Sequence, residues 1–288
     1  MWQIQFVLVI QVLAAVFFTV GYKTKVMTVV SWYLYLSLTL RNTWLNFILD
    51  RYFHYLLFYA MFLPTGGIWS VDAVIRKSKG MEGPRREIVL STGTVALKCL
   101  VFWLYLDAGG GKYMDPLQGW TYNAKPLPAL DTYTRHTTFA RYMYAALGPK
   151  GLRVMTPAVV WVELLAAPVA LVGSYFGMAG LVKFAVGMIV QLHVGIALCM
   201  NNAALLSLVA CSVWCAFLPV GWNAIESTTS TVSSSQGMSF GSILSTILIL
   251  CMIGGNLWFE ANSESCDQAI FYSTIFHCRW NVFVGAEE

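Results

Sequence analysis

The chain has 288 residues, of which 58% are hydrophobic and only 11% charged, with 18 Lys and Arg against 14 Asp and Glu for a formal net charge of +4. Soluble globular domains run near half apolar and a quarter charged, so this balance, with a mean hydropathy of +0.64, excludes an ordinary water-soluble enzyme and makes lipid the expected solvent. The surplus positive charge is densest in one loop between apolar stretches, which argues against nucleic acid as a partner.

A bilayer core about 30 Å thick is crossed by about 20 mostly apolar helical residues. Stretches of that order run over 2–21, 26–41, 54–71, 88–107, 155–175, 179–200, 202–220 and 241–259. They predict an all-α fold, a polytopic transmembrane helical bundle of about seven to eight helices with the lipid bilayer as its partner. Trp2 to Tyr22 follows no basic residue and precedes no small-residue cleavage site, so it reads as a retained helix rather than a signal peptide. The second and third stretches are short and interrupted by Arg41, Asp50 and Arg51, which leaves tilted, re-entrant or half-spanning arrangements open.

The basic loop runs from Arg76 to Arg86 as Arg-Lys-Ser-Lys-Gly-Met-Glu-Gly-Pro-Arg-Arg. Positive-inside bias reads it as cytoplasmic, with attraction to anionic lipid as the lesser alternative. Lys23 and Lys25 then share its side, and the segment 109–153 lies opposite, lumenal or outside. The Ser/Thr-rich run from Glu226 to Ser239 has the composition of a flexible linker, and no internal repeat is visible. Seven cysteines stand at no metal-ligand spacing. Cys211 and Cys215, four apart, read as packing residues before they read as ligands, and no metal is expected. Cys266 and Cys278 are positioned to pair only if their segment faces an oxidising lumen.

An ionisable group at membrane depth costs about 2.5–3.5 kcal/mol on insertion scales, so each needs a partner or a function. The candidates are Lys98, Asp107, Glu163, Lys183 and His193. Snorkelling or pairing with a bundle carboxylate accounts for the two lysines, a hydrogen bond within the bundle for His193, and a position near the interface for Glu163. Asn201 and Asn202 have amides suited to bridging helices. The sharpest local pattern is Tyr105-Leu-Asp-Ala-Gly-Gly-Gly-Lys112, which ends the fourth stretch in three glycines and delivers a lysine at the membrane surface. It is either a helix stop with an interfacial lysine or an amine set against a pocket, where it can act as a base toward a phenol-like substrate.

Several motifs, in order along the chain, carry a family resemblance. They are Ser37-Leu-Thr-Leu-Arg41-Asn42, then Phe62-Leu-Pro-Thr-Gly-Gly-Ile-Trp69-Ser70-Val-Asp72, then Tyr105 with Ala108-Gly109, Lys112 and Trp120. Glu163 followed by Pro168, Leu192-His193 with Phe217-Leu-Pro219, and Arg279-Trp-Asn-Val-Phe283 complete the series. In this order they resemble the transmembrane domain of vitamin K-dependent gamma-carboxylase and its relatives, the horizontally transferred transmembrane (HTTM) domain, over residues 20–283. The resemblance implies one HTTM-like transmembrane domain over 1–288, with no separate soluble domain. It implies Lys112 as a catalytic base toward a reduced quinone such as vitamin K hydroquinone, with Tyr105, Gly109, Trp120, Glu163 and His193 binding it. Arg41, Asn42, Trp69, Ser70 and Asp72 form the structural motif.

The chain departs from the family in lacking the carboxylase's Asn-Asn-His element, with His54 offset from it. The carboxylase's large lumenal domain also has no counterpart in these residues. Asp107, where a carboxylase relative is apolar, is a candidate partner for Lys112. The leading expectation is thus a membrane protein with a pocket for a quinone or other apolar small molecule and lysine-assisted redox or proton-abstraction chemistry. The alternative is a non-catalytic structural or accessory subunit of a membrane complex. Transport ranks last, because it favours paired broken helices in two repeats.

Overall fold

The computed structural model describes residues 2–41, 48–81, 91–114, 118–124, 127–133, 136–201 and 203–218, together with positions 243, 246, 247, 250 and 251. The fold is all-helical, with no strand among the described residues. The helices are α1 (Trp2–Val20), α2 (Thr24–Arg41), α3 (Ile48–Ala60), α4 (Val71–Ser78), α5 (Thr92–Tyr113), α6 (Ala129–Tyr133), α7 (Thr138–Tyr175), α8 (Ala179–Cys199) and α9 (Ala204–Trp214), the last followed by a tight turn over Cys215–Phe217. Two described helices, α7 and α8, are long and apolar enough to cross a membrane, and shorter apolar helices run Gln5–Val20 and Ala204–Phe217. The Ser/Thr-rich run 226–239, Cys266, Cys278, the Arg279–Phe283 motif and most of the stretch 241–259 lie outside the described residues. The chain divides into two compact units, 1–97 with 237–271 and 98–236 with 272–288.

In the first unit α1 packs on α2, and α2 on α3. α1 turns a broad apolar face outward, with Phe6, Val9, Val12, Leu13, Val16 and Val20 exposed, and buries Ala14 on its other side. α2 turns a small polar stripe inward, Thr24, Thr28 and Ser31, at the four- and three-residue spacing that keeps side chains on one helical face. Facing residues of α3 are aromatic. Tyr52, Tyr55 and Tyr59 are buried, and the Trp32 ring sits 5.6 Å from that of His54 and 5.7 Å from that of Phe58.

The third apolar stretch, expected over 54–71, is not one helix. α3 begins earlier and stops at Ala60, and the chain turns through Leu63-Pro64-Thr65-Gly66-Gly67 before α4 starts. Pro64 has no N–H to continue the ladder and biases Leu63 away from helical backbone.

In the second unit α7 and α8 are the most extensively packed pair. Ala166, Ala167 and Ala170 of α7 and Val182, Ala185, Val186 and Ile189 of α8 are buried, small residues that let helix backbones approach closely. Thr137 caps α7 by accepting from the Ala140 N–H at 3.1 Å, and its hydroxyl donates to the Leu198 carbonyl at the far end of α8. Asn201 bridges the same junction by donating to the His136 carbonyl at 3.3 Å, while Asn202 lies outside the described residues. α7 itself is broken at Gly148, whose φ of 62° and ψ of −178° are non-helical, and Pro149 then opens its apolar portion.

Candidate active site in the second unit

Tyr105, Ala108, Gly109 and Lys112 recur on one face of α5 at helical spacing, and all four are buried. The helix does not stop at the three glycines, as the sequence predicts, but runs through them to Tyr113. Glycine inside a helix costs about 1 kcal/mol relative to alanine. Packing offsets this at Gly109, where an added Cβ would lie 2.8 Å from Leu164 Cγ and 3.1 Å from the Leu164 backbone nitrogen. The missing side chain lets α7 close on α5, and the residue before Leu164 on α7, Glu163, arrives opposite Lys112.

Lys112 is 6% exposed and Glu163 6% exposed. The Lys112 Nζ donates to Glu163 Oε2 at 2.5 Å, an ion pair taken out of water. Nζ also lies 5.3 Å from the centroid of the Trp120 ring, within cation–π range. Glu163 is thus a salt-bridge partner that the structure gives Lys112. Asp107 and Lys112 are five residues apart on one helix, about 140° around its axis, and point to different faces.

Two turns before Lys112, the Tyr105 hydroxyl meets His193 Nε2 of α8 at 2.5 Å, with the rings edge to face. Trp214 of α9 packs edge-on against Tyr105 at 5.3 Å and stacks on Phe217 at 5.0 Å. Lys98 lies 5.4 Å from the Phe217 ring. Three buried polar atoms here, His193 Nδ1, Trp214 Nε1 and Ser207 Oγ, have no hydrogen-bond partner among the described residues. A buried polar group without a partner costs about 1–3 kcal/mol, so such atoms point to an oxygen-bearing ligand or bound water.

The fold thus brings Tyr105, Gly109, Lys112, Trp120, Glu163 and His193 together around one face of α5. Trp214 was not foreseen, because a tryptophan in an aliphatic helix gives no signal of which neighbour it will meet. Cys215 Sγ donates to the Cys211 carbonyl one turn back along the helix, at 3.5 Å.

The residues expected to form the structural motif lie in the first unit. Ser70 has extended backbone and caps α4 by accepting from the Ala73 N–H at 3.0 Å. Asp72 reaches the start of α2, where it accepts from the Lys23 N–H and the Thr24 N–H at 2.8 Å each and from the Thr24 hydroxyl at 2.7 Å. The positive end of the α2 dipole favours a carboxylate there. The Thr24 N–H is the main cause that holds the Asp72 carboxyl below the usual carboxylate range, followed by the Thr24 hydroxyl, the Lys23 N–H and the charge of Arg76. Arg76 donates to the Gly66 and Gly67 carbonyls at 3.0 and 2.7 Å, fastening the turn after α3. Gly21 completes the corner: its φ is +72°, and an added Cβ would lie 2.3 Å from Ser70 Cβ. Trp69 is almost wholly exposed, Arg41 is exposed at the end of α2, and Asn42 lies outside the described residues.

The chain matches no family model, no curated protein and no solved structure.

Proposed function

We propose that the chain is a multi-pass membrane protein of the HTTM type. In this reading its second unit binds a reduced quinone or a similar apolar, oxygen-bearing molecule and uses Lys112 to move a proton. The observation that carries this reading is the buried Lys112–Glu163 pair beside Trp120, with the Tyr105–His193 pair two turns away on the same face. Insertion in lipid is supported by α7 and α8 and by the apolar face that α1 turns outward, since a broad exposed apolar face is better solvated by a bilayer than by water. About seven to eight crossings, with the basic segment from Arg76 cytoplasmic and 109–153 on the opposite side, follow from apolar lengths and the positive-inside bias.

The residues present fit such a molecule. Tyr105, Trp120 and Trp214 provide aromatic walls, and the Trp214 N–H and His193 Nδ1 suit an oxygen at its edge. A reduced quinone brings ionisable hydroxyls and reducing power on an apolar ring. Shift of the proton along the 2.5 Å contact onto Glu163 Oε2 leaves the Lys112 Nζ lone pair able to take a proton from a hydroxyl held against it. Net charge within the site stays constant in that step, which matters where water is excluded. Trp120 covers Nζ from one side and limits exchange with solvent.

The experiment compares purified wild type with Lys112→Ala for binding of a naphthoquinone hydroquinone and for oxygen uptake. Binding in both, with uptake lost only in the variant, is the expected result. No binding and no uptake in the wild type would overturn the quinone reading. The accessory-subunit reading then takes over, favoured by the fact that Lys112 is ion-paired, and the next measurement is what co-purifies with the chain.

A further inference from the structure

The corner of the first unit where the α1–α2 turn meets α4 carries two features that the buried site does not use. Trp69 is 95% exposed and Val74 69% exposed, and so are the neighbouring Ile68, Val26 at the start of α2 and Met81 after α4. Lys23, Lys25, Lys77 and Lys79 are exposed at the same corner, which is closed by the bonds from the Lys23 and Thr24 N–H groups to Asp72 and from the Asp72 N–H to the Gly21 carbonyl. We propose that this corner binds the headgroups of anionic phospholipids at the membrane surface, with the four lysines on the phosphates and Trp69 and Val74 among the upper acyl chains. The proposal rests on the membrane reading above and adds a lipid class to it.

The charges support it in detail. Asp72, the acidic residue of α4, accepts three hydrogen bonds from the start of α2 and has the opposite charge of Arg76 near it, so these two charges largely offset each other and the four lysines set the outward charge. Lys23 lies 5.8 Å from the Tyr22 ring, an arrangement that keeps the ammonium exposed over an aromatic surface. Tryptophan partitions to the headgroup level because its ring is apolar and its N–H needs a polar partner. A lysine close to an anionic leaflet contributes about fivefold in partitioning. Apolar groups between the cations favour a lipid over free phosphate, which gains nothing from Trp69.

The test uses the full-length protein in detergent micelles doped equally with phosphatidylserine and phosphatidylcholine, with retained lipids counted by native mass spectrometry. Wild type is expected to retain phosphatidylserine preferentially. Joint Lys→Gln substitution at 23, 25, 77 and 79 lowers that preference by roughly several hundredfold, and Lys→Arg at the same four positions keeps it. Glutamine at Arg141, Lys150 and Arg153, exposed cations of the second unit, leaves it unchanged. Trp69→Ala weakens retention of both lipids.

No preference in wild type, an undiminished preference in the four-glutamine variant, or displacement of phosphatidylserine by excess inorganic phosphate would each overturn the proposal. Alkaline carbonate extraction of membranes tests the other reading separately. Release of the protein with the lipid preference intact sinks membrane integration and leaves a peripheral lipid-binding corner.

Discussion

Asp72 in the first unit and Glu163 in the second each join segments about fifty residues apart, separations of 49 and 51. Asp72 is half-buried, and its acceptors are filled by backbone N–H groups and a hydroxyl at a helix start. Glu163 is buried and faces an ammonium, with the Trp120 ring beside that ammonium. A carboxylate whose partners are fixed backbone groups holds a fold together, and its loss costs about one cap. A carboxylate opposite a mobile, proton-bearing side chain in a dry site is expensive to keep, and its neighbours leave it chemistry to perform.

The largest expected effect comes from separating the buried pair. Glu163→Ala destabilises by about 3–5 kcal/mol, measured by denaturant or thermal unfolding of the purified protein, because Lys112 then loses its carboxylate inside the unit. Lys112→Met combined with Glu163→Leu recovers most of that loss. A penalty below about 1 kcal/mol for Glu163→Ala is what an exposed pair gives, and it would erase the contrast with Asp72.

Next in size is the contact that delivers Glu163. Gly109→Ala costs about 1–3 kcal/mol, because the new methyl meets the Leu164 backbone nitrogen, which cannot move aside as a side-chain end can. Gly110→Ala, with open space around it, gains up to about 1 kcal/mol from helix propensity. Equal signs for the two substitutions would mean that the glycines serve flexibility and not close approach.

The smallest effect is at the exposed corner. Asp72→Asn costs about 1 kcal/mol at neutral pH, through the weakened α2 cap. The folded carboxyl is held below its ordinary value of 3.8, so its contribution is complete above that value and disappears as pH falls through the lower folded one. The stability gap between wild type and the variant should be flat near neutrality and close below pH 3.8. A gap that widens on acidification would reverse the sign of the interaction.

Much of the helical layout was legible, since apolar length marks α1, α2 and α8 within a few residues. Periodicity cannot see a break inside an apolar stretch, so the end of α3 at Ala60 was hidden although Pro64 stood in plain view. Nor could it say whether Gly109–Gly111 stop a helix or let another one close on it, because that depends on Leu164, far along the chain. For the same reason Lys112, Glu163, Tyr105 and His193 could each be named as candidates, while their pairing emerged only from the fold.

The clasp made by Asp72 also has a consequence in time. At ribosomal rates of about 5–20 residues per second, the start of α2 is synthesised roughly 2–10 s before the side chain that caps it. Until then its first N–H groups depend on water or on the Thr24 hydroxyl alone. A nascent chain halted before residue 72 carries the α1–α2 hairpin unfastened, and such fragments should be the ones most readily recognised by quality-control proteases.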